Sequence, residues 1–333
     1  MPALDMGQGI KMIDEFIHKF SRLRTDKNRK RWSALTAHQA PHKPFLLMSI
    51  MDLFAQGEIT GKFIKPSPEL LETFNSYFSN IMPVGQKSSM SYPFYHMRSE
   101  SFWKLIPNEG YKDLPGLTIS SMAKLREIYC GAQIDESLFI LMCNPETREQ
   151  LRSVLINTYF APEIRPKIVE QGQVNFEAYE YSQNLLKVAE MQTAFSNGGE
   201  DSEKKIKVRD QGFRKAVVSL YMHRCALCGI RMLTPDGHTI VDAAHVKPWK
   251  ESFDDRPNNG MALCKLCHWS FDQGLMSVGK HYEVLVSKRV SVEQNFPGHI
   301  LTLTARHIFT PQEQIFWPDQ ANLDWHRRER FIK

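Results

Sequence analysis

The chain has 333 residues, 42% of them hydrophobic and 24% charged, a composition that supports two globular domains and excludes wholesale disorder. No apolar run reaches the ~18 residues needed to span a bilayer, and Met1 to Asp14 lacks the basic-then-apolar order of a secretory leader, so a cytoplasmic protein is expected. The net charge of +5 is uneven: residues 204–333 hold 20 Lys and Arg against 13 Asp and Glu, the remainder 22 against 24, which favours a polyanionic partner for the C-terminal part.

In chain order, Ile13, Phe16, Phe20 and Leu23 recur at helical spacing, followed by a basic stretch from Arg22 through Arg24, Lys27, Arg29 and Lys30 to Arg31. Phe45 to Phe54 is a continuous apolar helix that should stop at Gly57, with Pro44 in its first turn. Further helices are predicted for Pro68–Phe78, Ser137–Met142 and Thr147–Tyr159. A loop is expected over 84–91, and short aromatic strands over Tyr92–Tyr95 and Phe102–Leu105. These elements make a first domain of residues 1–160. Residues 161–207 have the character of a linker, with Pro162 and Pro166 at one end and the polar run Ser196–Ser202 at the other. Between them Val174–Phe195 suits a connecting helix. Residues 208–333 form the second domain, opened by a helix from Arg209 to Tyr221 with Phe213, Val217 and Leu220 on one face.

Six cysteines in a chain of this length do not make a disulfide framework. Cys225 and Cys228, and Cys264 and Cys267, are two CxxC pairs separated by 35 residues. Each pair lets two thiolates reach one ion, and together they complete a tetrahedral four-sulfur shell with no position open to water, which predicts a structural Zn²⁺. Cys130 and Cys143 lack such partners and are expected as small core residues.

Around the second cysteine pair stand Val241-Asp242-Ala243-Ala244-His245, then Asn258-Asn259-Gly260, then His268 directly after Cys267. This arrangement resembles the HNH, or ββα-metal, nuclease family over roughly residues 209–280. Lys247-Pro248-Trp249, Met261-Ala262-Leu263 and Phe271-Asp272-Gln273-Gly274 stand where that family has similar residues. The resemblance implies metal-dependent DNA endonuclease activity, with His245 as general base, Asn259 holding the loop that carries it and His268 binding a divalent Mg²⁺ or Mn²⁺. A neutral imidazole can take a proton near pH 7, as phosphodiester hydrolysis requires. Many relatives place Asp immediately before the base as a second metal ligand. Here that position is Ala244, and Asp242, two residues earlier on the strand, is the candidate substitute.

In the first domain, Pro41-His42-Lys43-Pro44-Phe45, Tyr92-Pro93-Phe94-Tyr95, Phe102-Trp103 and Tyr159-Phe160 look like the sulfur-binding domain of McrA-type restriction endonucleases that recognise phosphorothioated DNA. That resemblance implies a reader of double-stranded DNA. In it Tyr92 and Pro93 offer apolar surface to a weakly hydrated sulfur, and His42 and Lys43 offer charge to the flanking phosphates, with the Arg22–Arg31 stretch broadening the basic face. The family has Arg where this chain has Lys43, so the bidentate fork is lost there.

The expected architecture is thus α+β: a mainly helical reader with short strands, a linker, and a ββα nuclease with a four-cysteine zinc. The expected function is modification-dependent restriction of phosphorothioated DNA. Two alternatives stay open on sequence: a reader of a modified base such as methylcytosine, which would extrude the base into an aromatic pocket, and a non-catalytic, zinc-stabilised DNA-binding protein. One HNH site cuts one strand, so a double-strand break needs two events or a homodimer.

Overall fold

The computed structural model describes residues 6–86, 89–111, 118–191, 202–234, 237–291 and 297–333. The expected flexible run at 196–202 therefore lies outside the described residues except for Ser202. The chain forms two compact units, and the main division falls between Phe176 and Glu177, inside one long helix.

The first unit is built on α2 (His42–Ala55), after α1 (Met6–Phe20). Every residue of α2 from Lys43 to Phe54 is buried, as suits a helix with apolar residues on every side whose charged Lys43 and Asp52 are paired with Glu100 and Arg152. Next come β1 (Phe63–Ile64) and α3 (Pro68–Ile81); Ser67 caps α3 by accepting from Leu70 N at 3.2 Å, and Pro68 fills a first-turn position where no N–H is needed. Then follow α4 (Ser91–His96), β2 (Trp103–Pro107), α5 (Met122–Ile128), β3 (Tyr129–Ile134), α6 (Glu136–Cys143) and α7 (Pro145–Tyr159). The strands make an antiparallel sheet in the order β1-β3-β2.

Three expectations change here. Tyr92–Tyr95 is not a strand but the body of α4, whose first turn accepts Pro93; Phe94 and Tyr95 pack into the core while Tyr92 stays half exposed. Cys130 is exposed and Cys143 only partly buried, because alternation along β3 buries Tyr129 and Gly131 and turns Cys130 outward. The stretch expected as linker is largely α8 (Arg165–Met191), with Pro166 in its first turn rather than breaking structure. The N-terminal part of α8 is tied into the first unit by buried polar groups. Asn175 Nδ2 donates to Asp52 Oδ2 at 2.8 Å, Arg152 pairs with Asp52 Oδ1 at 2.8 Å, and Arg152 also donates to the Tyr77 hydroxyl at 3.0 Å.

The second unit follows with α9 (Glu203–Leu220), capped by Ser202, then the hairpin of β4 (Val241–His245) and β5 (Gly260–Cys264), whose connection contains α10 (Trp249–Ser252). After β5 come α11 (Lys265–Asp272), the hairpin of β6 (Met276–Val278) and β7 (Val284–Val286), and α12 (Gln320–Glu329). Phe213 and Val217 of α9 seat on the β4–β5 hairpin. They fit because Gly260, opposite His245 in the register, has no Cβ: one built there would lie 2.6 Å from Val217 Cγ2 and 2.9 Å from Phe213 Cζ. Among the described residues no helix is long and apolar enough to cross a membrane.

Candidate functional site

The four cysteines predicted as a metal shell come together: the Sγ atoms of Cys225, Cys228, Cys264 and Cys267 all lie within 4.8 Å of one another. Cys228 Sγ and Cys264 Sγ are 3.7 Å apart, against about 3.8 Å for two sulfurs bound tetrahedrally at 2.3 Å to one Zn²⁺. The first knuckle turns at Gly229 (φ +76°), whose N–H donates to Cys225 O at 2.9 Å, and the second opens α11. Hydrogen bonds among the four crowded thiols pull Cys225 and Cys264 below the usual thiol range and push Cys228 and Cys267 above it. The donor set and spacing fit a metal ion with no open position.

This shell joins the end of β5 to the start of α11 and so fixes the ground on which the histidines stand. His245 ends β4. Its ring lies flat on Phe213, 3.9 Å between centroids and 7° between planes, and its Nε2 is 2.7 Å from Asp255 Oδ1. Asn259 is fully buried between the strands. Its side chain accepts from Lys247 N at 2.9 Å and donates to Lys247 O at 2.9 Å and Asp254 O at 2.8 Å, so it closes the loop that follows His245. His268, on α11, has Nε2 3.5 Å from Asp272 Oδ2, one turn on. Burial pushes the Asp272 carboxyl up, opposed by the charges of His268 and Arg330.

A cavity of about 170 Å³ is lined by His245, Pro248 and Asp272, and by Trp325, His326 and Arg330 from α12 and the residue beyond it. Its lining includes neither His268 nor Asp242. The Asp242 carboxylate, a ligand candidate on sequence grounds, instead pairs with Arg214 Nε at 2.9 Å and is well exposed. Among the described residues the four cysteines are the one group of three or more His, Cys, Asp or Glu whose ligand atoms cluster, so Asp242 is not gathered with the histidines. His326 is buried and stacked on Phe271 at 3.6 Å, with both ring nitrogens engaged, by the Ser277 hydroxyl and Phe271 O; desolvation holds it down to about 4. It is a neutral structural ring.

In the first unit His42, Lys43, Tyr92 and Pro93 meet at one cavity of about 670 Å³, with Arg24, Arg31, Trp32 and His96 also on its wall. Their electrostatics differ from the expectation. Burial between the Trp32 and Phe78 rings lowers His42 to about 4, so it presents a neutral ring and not a charge. Lys43 is buried, bonded to Ser99 at 2.8 Å and to Glu100, which neutralises it. The basic stretch supplies the cations instead: Arg24 and Arg31 line the cavity.

Sequence reasoning passed over Asp255, Tyr181, Asp272 as a facing group, and the contribution of α12. The signal for Asp255 was one carboxylate in Asp254-Asp255-Arg256, which looks like any solvated loop; Asp254 does pair with Arg256, at 2.8 Å. Arg330 is delivered by the chain crossing Gly274 (φ +69°), where a Cβ would lie 2.0 Å from Arg330 O.

A hairpin ending in one histidine, a helix carrying a second, and a four-cysteine clamp between them define an endonuclease domain of the HNH class, and residues 225–279 match the family described as HNH endonuclease. Residues 13–174 match the family described as ScoMcrA-like, DNA sulfur-binding domain. The chain therefore carries a ScoMcrA-like DNA sulfur-binding domain followed by an HNH endonuclease domain. Among solved structures, a chain titled Modification dependent TagI restriction endonuclease aligns with 35% of this chain and 36% of its own length, at 21% identity and a TM-score of 0.27. The chain thus spans about a third of that structure. No curated protein matches it.

Proposed function

We propose that the protein is a modification-dependent DNA endonuclease that reads phosphorothioated double-stranded DNA with its first unit and hydrolyses phosphodiester bonds with its second. The observation that carries this reading is the pairing, in one chain, of a sulfur-binding-domain match whose cavity gathers Tyr92, Pro93, Arg24 and Arg31 with an HNH domain that holds His245 at a second cavity.

A phosphorothioate carries sulfur in place of a non-bridging oxygen, larger, softer and less hydrated. Apolar ring surface from Tyr92, Pro93 and the neutral His42 accepts sulfur at little cost, whereas a hydrated oxygen would lose its water there. Arg24 and Arg31 can meet the phosphate charge on either side of the mark. In the second unit His245 takes a proton from a water whose oxygen bonds to phosphorus as the bond to the leaving sugar oxygen breaks. Arg330, on the same cavity, can neutralise the phosphate.

The cysteine shell would hold Zn²⁺ as a structural ion. A divalent Mg²⁺ or Mn²⁺ would supply Lewis-acid stabilisation of the developing negative charge. His268 and Asp272 would hold it, since their ligand atoms, 3.5 Å apart, approach the about 3 Å spanned by two adjacent ligands at 2.1 Å. Asp242 is left out because Arg214 holds its carboxylate. Cleavage of both strands requires two events or two copies of the chain.

The test compares plasmid from a phosphorothioating host with plasmid from a host lacking the modification, with Mn²⁺ or Mg²⁺ and with His245→Ala as control. Selective cutting of modified plasmid, absent in the variant, is expected. Equal cutting of both plasmids would remove the sulfur reading and keep the nuclease, and binding without cutting would remove the nuclease.

A further inference from the structure

Asp255 is a carboxylate with no solvent exposure at all, on the loop between β4 and β5. Burying such a group costs several kcal/mol unless each oxygen is satisfied. Both are satisfied, and by different partners. Oδ2 accepts from the Tyr181 hydroxyl at 2.7 Å and lies 3.9 Å from Arg209 Nε, while Oδ1 faces His245 Nε2 at 2.7 Å. Arg209 is itself held over the Trp249 ring at 3.9 Å, and the His245 ring is pinned against Phe213. Tyr181 from α8, Arg209 and Phe213 from α9, and Asp255 from the loop therefore converge on one imidazole.

We infer that Asp255 is the positioning residue of this site, fixing His245 as the tautomer protonated on Nε2 with Nδ1 as its basic atom. A carboxylate only accepts, so the ring proton that lies between His245 and Asp255 belongs to Nε2. The Tyr181 hydroxyl occupies Oδ2, with the Arg209 cation 3.9 Å away, which turns Oδ1 toward His245 and holds the carboxylate in place. When Nδ1 accepts a proton, the same carboxylate stabilises the resulting imidazolium. The catalytic use of that nitrogen rests on the nuclease reading above; the tautomer does not.

Asp255→Asn makes the sharp test, because its oxygen and nitrogen are no longer equivalent. The Tyr181 hydroxyl donates to this position and the Arg209 cation lies 3.9 Å away, so the amide oxygen turns to them and the amide NH₂ faces His245. Nε2 must then accept, and the ring proton moves to Nδ1. The experiment reads ¹⁵N signals of histidine-labelled full-length protein, assigned to His245 by the His245→Ala difference, together with steady-state cleavage. The expected result is a neutral His245 protonated on Nε2 in the unsubstituted protein and on Nδ1 in Asp255→Asn. A fall in kcat of about a thousandfold or more, at a KM within a few-fold, should accompany it. Tyr181→Phe, which leaves the His245–Asp255 contact intact, should keep the Nε2 proton and lose less than tenfold in kcat. An Nδ1 proton in the unsubstituted protein overturns the inference whether or not Asp255→Asn folds, as does an unchanged tautomer or kcat in a folded Asp255→Asn. Absence of cleavage by the unsubstituted protein with the proton on Nε2 overturns the nuclease reading alone.

Discussion

Two histidines show how differently the two units use the same side chain. His42, on the wall of the larger cavity, is wedged between the Trp32 and Phe78 rings; burial there lowers its pKa to about 4. His245, on the smaller cavity, is also stacked on an aromatic ring, but its Nε2 meets a buried carboxylate. The first environment makes an imidazole into a piece of apolar wall, and the second holds it between an aromatic ring and a buried carboxylate. The cavities follow the same division: about 670 Å³ lined by rings and arginines, and about 170 Å³ lined by His245, Asp272 and Arg330.

The largest effect should come from metal removal. The second unit gathers four cysteine sulfurs fit to hold one metal ion, whereas no comparable cluster exists among the described residues of the first. Structural Zn²⁺ contributes on the order of 10 kcal/mol of binding free energy to small domains. Stripping it should therefore collapse hydrogen-exchange protection in β4, β5 and α11 while α2 and α3 stay protected. Equal loss in both units would break the comparison.

Acid should strike both units through different rings. His42 and His326 both sit near 4 when folded, against about 6.5 when unfolded. Stability is thus full above pH 6.5 and is lost as pH falls toward 4, since the unfolded chain takes up protons that the folded one refuses. The loss approaches about 3 kcal/mol for His326 and less for His42, whose ring keeps some solvent contact. Denaturant midpoints at pH 7 and pH 4.5 measure it, and His326→Gln should flatten part of the difference.

Tyr92→Ala, at a half-exposed position, should lower preference for phosphorothioated over ordinary DNA by about 10- to 100-fold in a binding titration without changing the melting temperature. Lys43→Ala cannot sharpen the comparison in the same way, because it removes the cation paired with the nearly buried Glu100 side chain and destabilises the fold. The smallest change is Gly260→Ala. Its new methyl must push Phe213 and Val217 away from the hairpin, at a cost of about 1–3 kcal/mol, and it should loosen the Phe213–His245 stack enough to lower cleavage.

The long apolar helix at α2, the Pro-led start of α3 and the cysteine shell were legible because each depends on neighbours close in the chain: a buried periodicity, a cap, a two-residue knuckle. The aromatic run at Tyr92–Tyr95 misled because such residues favour strands, while packing of Phe94 and Tyr95 into the core held them as the helix α4. His245, Asn259 and His268 could be singled out from their spacing, but not what each would touch.

From sequence alone came the four clustered cysteines, read from their spacing, and the order of the two domains and the histidines of the nuclease motif, read from resemblance to known families. Only the tertiary structure neutralised His42 and Lys43, singled out Arg24 and Arg31 from the basic stretch as cavity wall, tied Asp242 to Arg214 and brought α12 to the cavity beside His245. It also chose Asp255 over its neighbour Asp254 as the partner of His245. The physical reason is that a side chain's charge and role depend on its dielectric surroundings and its partners, and for these residues the partners lie on other elements of the fold.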